Sequence, residues 1–160
     1  MLSKLFKKRK LQIYAPIHGD IVPLEQVPDP VFSQKMMGEG IAIMPSDGKV
    51  HAPIDGTVVL VADTKHAIGL KSDDGTELLI HIGLETVNLK GEGFTTLVKV
   101  GDKITVGQPL VEVDWAYIGE HATSIITPII ITNSDDRTIE FGSDKKSIVG
   151  ETVLLTASPK

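Results

Sequence analysis

Thr76-Glu77-Leu78-Leu79-Ile80-His81-Ile82-Gly83-Leu84-Glu85-Thr86-Val87-Asn88-Leu89-Lys90-Gly91-Glu92-Gly93-Phe94 is the stretch that decides the fold. Its first half alternates with the period of a β-strand: Leu78, Ile80 and Ile82 point one way, and Glu77, Leu79 and His81 the other. Its second half is turn-forming, with glycines at 83, 91 and 93. His81 is therefore a group titrating near neutral pH on a stiff apolar strand, beside backbone that can offer N–H donors. A strand histidine standing alone is ordinarily structural. The residues before it change that reading.

Residues 64 to 72 read Thr64-Lys65-His66-Ala67-Ile68-Gly69-Leu70-Lys71-Ser72, and Asp73-Asp74-Gly75 then supplies a strong hairpin signal. With Asp74 and Gly75 as a two-residue loop, Asp73 faces Thr76, His81 faces Ile68 and His66 faces Gly83. The histidines then share one face as diagonal neighbours, and Thr64 and Glu85 extend it. A four-residue loop keeps this parity. A three-residue loop reverses it, because a one-residue slip turns every side chain over.

At 160 residues the chain is one domain by size and large enough to bury a good core. Hydrophobic residues are 41% but aromatics only 4%, so that core must be built from Val, Ile and Leu. Fifteen glycines and nine prolines favour many short strands over long helices. Ala15-Pro16-Ile17-His18-Gly19-Asp20-Ile21-Val22 recurs as Ala52-Pro53-Ile54-Asp55-Gly56-Thr57-Val58-Val59, which suggests two related half-motifs in one sandwich or barrel. Further strands are expected at Leu110 to Val113, Ile125 to Thr132 and Thr152 to Thr156. The expected fold is all-β: an antiparallel β-sandwich or flattened barrel, a duplicated hybrid motif, with short helices. Asp29 can cap one helix with Pro30 at its first position, covering Val31 to Met37, and Asp114 a second near Trp115 to His121. Val31, Phe32, Met36 and Met37 form one compact apolar face, for which core packing is the default reading.

Cysteine is absent, which rules out disulfides, thiolate zinc sites and cysteine nucleophiles. No apolar run reaches the length of a membrane span and no secretory signal is visible, which accords with a cytoplasmic location. Five of the sixteen basic residues, Lys4, Lys7, Lys8, Arg9 and Lys10, fall in the first ten, where there is no acid. The formal net charge of −5 therefore divides into +5 for residues 1–10 and −10 for residues 11–160. An acidic body argues against nucleic-acid binding. With Leu2, Leu5 and Phe6, the basic segment reads either as an amphipathic helix resting weakly on anionic lipid at the inner face of the membrane or as a solubilising terminus.

No Gly-x-x-x-x-Gly-Lys-Ser/Thr run exists, so the chain has no evident means of taking phosphate from ATP. A histidine remains a candidate nucleophile, because a neutral ring nitrogen is nucleophilic near pH 7.

Several segments together resemble the glucose-class enzyme IIA of the bacterial sugar phosphotransferase system. They are Ala15-Pro16-Ile17-His18-Gly19, Pro28-Asp29-Pro30-Val31-Phe32, Gly38-Glu39-Gly40-Ile41-Ala42-Ile43, Ala52 to Thr57, Thr64-Lys65-His66-Ala67, Leu79 to Val87 and Leu89 to Phe94. The likeness runs in order through residues 13 to 155. It implies a phosphohistidine carrier with His81 as the phosphorylated nucleophile, His66 as the second active-site histidine and Thr64 as its support. The phosphoryl group would come from the histidine phosphocarrier protein HPr and pass to the cysteine of a sugar-specific IIB domain. It further implies an exposed docking patch of Val31, Phe32, Met36 and Met37, regulatory binding to transporters or kinases, and no cofactor. Glu85 stands where the family commonly has an aspartate and joins the partner-facing set. His18, His51 and His121 have no such context and read as structural or exposed.

Two rival readings stand beside it. Lys65 in Asp63-Thr64-Lys65-His66-Ala67 superficially resembles the modified lysine of lipoyl or biotinyl domains, and residues 99 to 113 share their cadence. His81-Ile82-Gly83-Leu84-Glu85 places His and Glu four apart, as in a zinc hydrolase of the related hybrid fold, but no His-x-His pair completes a three-ligand set. His66 and His81 could still share a zinc ion at an interface with a partner's carboxylate.

Overall fold

The computed structural model describes residues 10–160. The basic N-terminal segment lies outside them apart from Lys10, whose Nζ is 2.8 Å from Glu140 Oε1. Fourteen strands are present among the described residues: β1 Leu11–Tyr14, β2 His18–Pro23, β3 Glu39–Asp47, β4 Val50–His51, β5 Gly56–Val61, β6 Ala67–Lys71, β7 Glu77–His81, β8 Phe94–Thr96, β9 Lys103–Ile104, β10 Pro109–Val113, β11 Thr127–Ile131, β12 Arg137–Phe141, β13 Lys146–Ser147 and β14 Val153–Pro159. One eight-stranded sheet has the order β13-β2-β3-β11-β7-β6-β5-β9, and two three-stranded sheets are β1-β14-β12 and β4-β10-β8. Every pairing is antiparallel. The expected antiparallel sandwich is what forms.

Alternation along the central strands builds two cores. Leu78, Ile80, Ile129 and Ile131 face the main cluster, where Ile13 and Leu155 of one small sheet and Leu110 of the other also pack. Leu79, Ile130 and Ala42 face a second cluster closed by Leu24, Val27 and Phe32. The large sheet is thus buried on both faces at its centre, which is why β7 and β11 read as nearly continuous apolar runs.

The Ala-Pro repeat makes the same contacts twice. Tyr14 N–H donates to Pro53 O at 2.9 Å, and His51 N–H to Pro16 O at 2.8 Å. A Cβ on Gly19 would lie 2.1 Å from Met44 O, and one on Gly56 2.2 Å from Lys71 O, so both positions require glycine. The strand order of the large sheet is palindromic about the β11–β7 pair. Gly19↔Ser147 in one half matches Gly56↔Ile104 in the other, and the Ile129↔Ile80 pair lies at the centre. In this pseudo-two-fold arrangement the place of His81, opposite Ala67, corresponds to Ile130, opposite Gly40.

Two expectations need correction. The hairpin loop has three residues: Ser72 N–H donates to Thr76 O at 3.0 Å, Gly75 N–H donates to Ser72 O at 3.1 Å, and Gly75 has φ +89. This is a turn closed by a left-handed glycine, and it sets His81 opposite Ala67 rather than Ile68. The helix capped by Asp29 is also shorter than expected. As α1 it covers only Pro30–Ser33, with Val31 N–H donating to Asp29 Oδ1 at 3.0 Å, and Lys35 at φ +58 turns the chain out. The second helix, α2, covers Trp115–His121 with Asp114 as its cap, as expected.

Candidate functional site

His81 is the last residue of β7, on the face of the second cluster. Its Nδ1 is 2.8 Å from Gly83 O. A carbonyl oxygen only accepts, so Nδ1 carries the hydrogen and Nε2 keeps its lone pair. The chain must reverse at once to bring that carbonyl back, and Gly83 does so at φ +75. A Cβ there would lie 2.6 Å from Thr86 Cγ2 and 2.9 Å from Ser124 O, so glycine is obligatory.

His66 precedes β6 and is not part of its alternation. Lys65 N–H donates to Ala62 O at 2.8 Å, and Lys65 itself sits at φ +62, a left-handed conformation that costs a non-glycine residue about 1 kcal/mol or more. This turn offsets the parity reversal of the three-residue loop and brings the His66 ring to the His81 side. The ring centroids are 4.9 Å apart at 79°, an edge-on arrangement. Thr64 Oγ1 is 2.7 Å from His66 Nδ1, and a hydroxyl donating there leaves the hydrogen of His66 on Nε2. Phe32 packs its ring 5.0 Å from that of His81.

Burial pushes the pKa of His66 below the ordinary histidine value, and the neighbouring His81 pushes it the same way. Burial also lowers the pKa of His81, against opposing contributions from the Gly83 hydrogen bond and the Asp29 carboxylate. Both rings are therefore neutral at pH 7. The pair presents one ring with a bare Nε2 next to a second ring that can donate from Nε2: a nucleophile with a neighbouring hydrogen-bond donor.

His66, His81 and Thr64 thus come together. The expected docking residues do not form one exposed patch. Val31, Met36 and Met37 are exposed, but Phe32 is only 3% exposed, because its ring fills the space between Leu24, Leu79 and His81. The Glu85 carboxylate accepts a hydrogen bond from the Thr123 hydroxyl at 2.5 Å. Sequence reasoning missed Gly83, buried Thr86 and exposed Val87. A glycine two residues after a strand histidine was the available signal for the first. Among the described residues no group of three or more His, Cys, Asp or Glu gathers as a metal set. A cavity of about 660 Å³ lined by Ile21, Pro23, Ile41 and Phe141 contains neither histidine.

The family model described as phosphoenolpyruvate-dependent sugar phosphotransferase system, EIIA 1, matches residues 11–137. The chain is 52% identical over 161 residues to the PTS system glucose-specific EIIA component of Staphylococcus epidermidis, with 97% of each chain covered. It is 57% identical over 143 residues to the PTS system glucose-specific EIICBA component of Staphylococcus carnosus and 60% identical over 143 residues to the glucoside-specific EIICBA component of that organism. These matches cover 89% of this chain but only 21% of either relative, so the chain spans about a fifth of their length. The solved structure of glucose permease IIA from Mycoplasma capricolum matches with a TM-score of 0.86 at 37% identity, covering 92% of this chain and 96% of that one.

Proposed function

The chain belongs to the EIIA 1 family of the phosphoenolpyruvate-dependent sugar phosphotransferase system, and we propose that it carries a phosphoryl group on His81 Nε2 between two other proteins of that system. The observation that carries this reading is the His81 Nδ1–Gly83 O bond at 2.8 Å, which leaves Nε2 unprotonated. The donor is the phosphohistidine of HPr. Its P–N bond breaks as a new one forms to His81 Nε2, and the donor imidazole departs. His66 donates from Nε2 to a phosphoryl oxygen, held by Thr64. In the second step the thiolate of a IIB domain attacks phosphorus and His81 leaves. Fusion of this domain to IIC and IIB parts in the EIICBA relatives supports IIB as acceptor. The names of the relatives point to glucose or a glucoside as the sugar.

His81 is part-exposed, which suits transfer between proteins, where an enclosed site would suit a small substrate. Val31, Met36, Met37 and Val87 supply exposed apolar surface for docking, and methionine adapts to more than one partner. The lipoyl and zinc-hydrolase readings draw no support from the family match. The two Nε2 atoms would hold a zinc ion only if a partner completed its shell.

Incubation with phosphoenolpyruvate, enzyme I and HPr tests the proposal. An acid-labile, base-stable phosphate on His81 is expected. No label, or label on another residue, refutes it.

A further inference from the structure

We propose that Thr86 is a positioning residue that fixes the tautomer of His81 through two consecutive peptide units, an inference that rests on His81 as the phosphoryl acceptor. Thr86 is fully buried, yet valine would fill nearly the same volume without a polar atom to satisfy. Its hydroxyl donates to Ile82 O at 2.6 Å. The Ile82 N–H donates to His66 O at 2.7 Å. Residue 82 is thereby held at both its N–H and its C=O.

The next carbonyl is the one that His81 uses. The Gly83–Leu84 peptide is anchored by the Leu84 N–H, which donates to Ser124 O at 2.9 Å. In a trans peptide the C=O points opposite to the N–H, so that anchor aims Gly83 O away from Ser124 and toward His81 Nδ1, where the bond measures 2.8 Å. Ser124 fixes the plane at one end and Thr86 fixes the preceding peptide at the other. Gly83, at φ +75 between them, has the freedom to relax if either is lost. Without the Thr86 hydroxyl the carbonyl drifts, the Nδ1–H form loses its acceptor, and hydrogen moves onto Nε2, where it blocks attack.

The test reads the tautomer in unphosphorylated protein by long-range proton–nitrogen correlation of the His81 ring, which needs no transfer partner. Thr86→Val is expected to shift the nitrogen pattern from Nδ1-protonated toward a mixture and to slow labelling by about three- to tenfold, the loss of one hydrogen bond. Thr86→Ser keeps the hydroxyl and should keep the wild-type pattern. A folded valine variant with wild-type His81 nitrogens overturns the proposal. Should valine prevent folding, the wild-type protein decides: a slowly exchanging Thr86 hydroxyl proton is expected, and a freely exchanging one overturns it. Failure of His81→Ala to lose label would instead overturn the acceptor assignment, leaving the tautomer result intact.

Discussion

His66 and Ile82 are joined by one backbone hydrogen bond, Ile82 N–H to His66 O at 2.7 Å, which ties together the two stretches of main chain that carry the imidazoles. His81 precedes Ile82 in the chain, so its backbone cannot move away from that of His66 without breaking this bond, and its ring is held on that backbone by the Nδ1–H bond to Gly83 O. The spacing of nucleophile and donor thus rests on the main chain together with the Gly83 and Thr64 hydrogen bonds to the two rings.

Replacing the rings separately should divide their roles. His81→Ala should abolish labelling. His66→Gln keeps a neutral donor, so acceptance should survive, but it loses the capacity to hold positive charge as the group departs. A transition-state hydrogen bond of that kind is typically worth ~2–4 kcal/mol, so onward transfer to IIB should slow by about 30- to 1,000-fold. Single-turnover transfer from pre-phosphorylated protein measures this, and a wild-type rate for the glutamine variant would reverse the assignment.

Stability and labelling should share a pH window. The pKa of both histidines is lowered in the folded chain, so between the folded values and the ordinary value near 6.5 the unfolded chain binds more protons. Their contribution to stability is complete above about pH 6.5 and is lost as pH falls through the folded values. Urea midpoints should drop more steeply with acid for wild type than for His66→Gln, whose glutamine cannot titrate. Equal slopes would mean that His66 is not desolvated. By the same shift, labelling should persist below the pH at which an ordinary histidine is half protonated.

Two glycines with similar backbones should respond differently to alanine. Gly83 and Gly101 both have positive φ, but a Cβ at 83 meets Thr86 and Ser124, whereas at 101 nothing lies within 4 Å. Gly101→Ala should cost about 1 kcal/mol from conformation alone and leave labelling unchanged. Gly83→Ala should cost about 2–4 kcal/mol, through strain and displaced neighbours, and slow labelling sharply. Chemical denaturation with initial-rate labelling checks both, and similar behaviour of the two would remove the steric argument.

The patch around α1 should separate packing from docking. Phe32→Ala removes a buried ring against His81 and should destabilise by about 3–5 kcal/mol. Met36 is 68% exposed, so Met36→Ala should change stability by less than about 0.5 kcal/mol while weakening productive encounter with HPr. A rise in the KM for HPr with unchanged melting is the expected result for Met36. Unchanged KM would take Met36 out of the interface.

The strands were legible because period-two alternation and the Ala-Pro repeat both survive in local sequence. The register of the central hairpin was not. Asp74-Gly75 suits a two-residue loop, but it also suits a three-residue loop, which is selected once the Asp74 carboxylate accepts from Thr76 N–H at 2.9 Å and from the Ser72 hydroxyl. Arg137 Nε and Asn133 Nδ2 then clamp the tip through Thr76 Oγ1 and Gly75 O, from 61 and 58 residues away. The meeting of the histidines was expected, but from the wrong cause: it depends on left-handed Lys65, a conformation no lysine advertises. Phe32 reads as exposed only through the family resemblance; it packs inward, as the compact apolar face of Val31, Phe32, Met36 and Met37 by itself suggests.

The palindromic sheet has a bearing on traffic at this surface. A sheet whose strand order repeats itself after a half-turn offers an approaching protein two related landing orientations, only one of which leads to reaction. Ile130, fully buried where the other half carries His81, removes that ambiguity. Every encounter meets a single reactive corner, and orientation is selected by side chains on a frame that does not itself distinguish one end from the other.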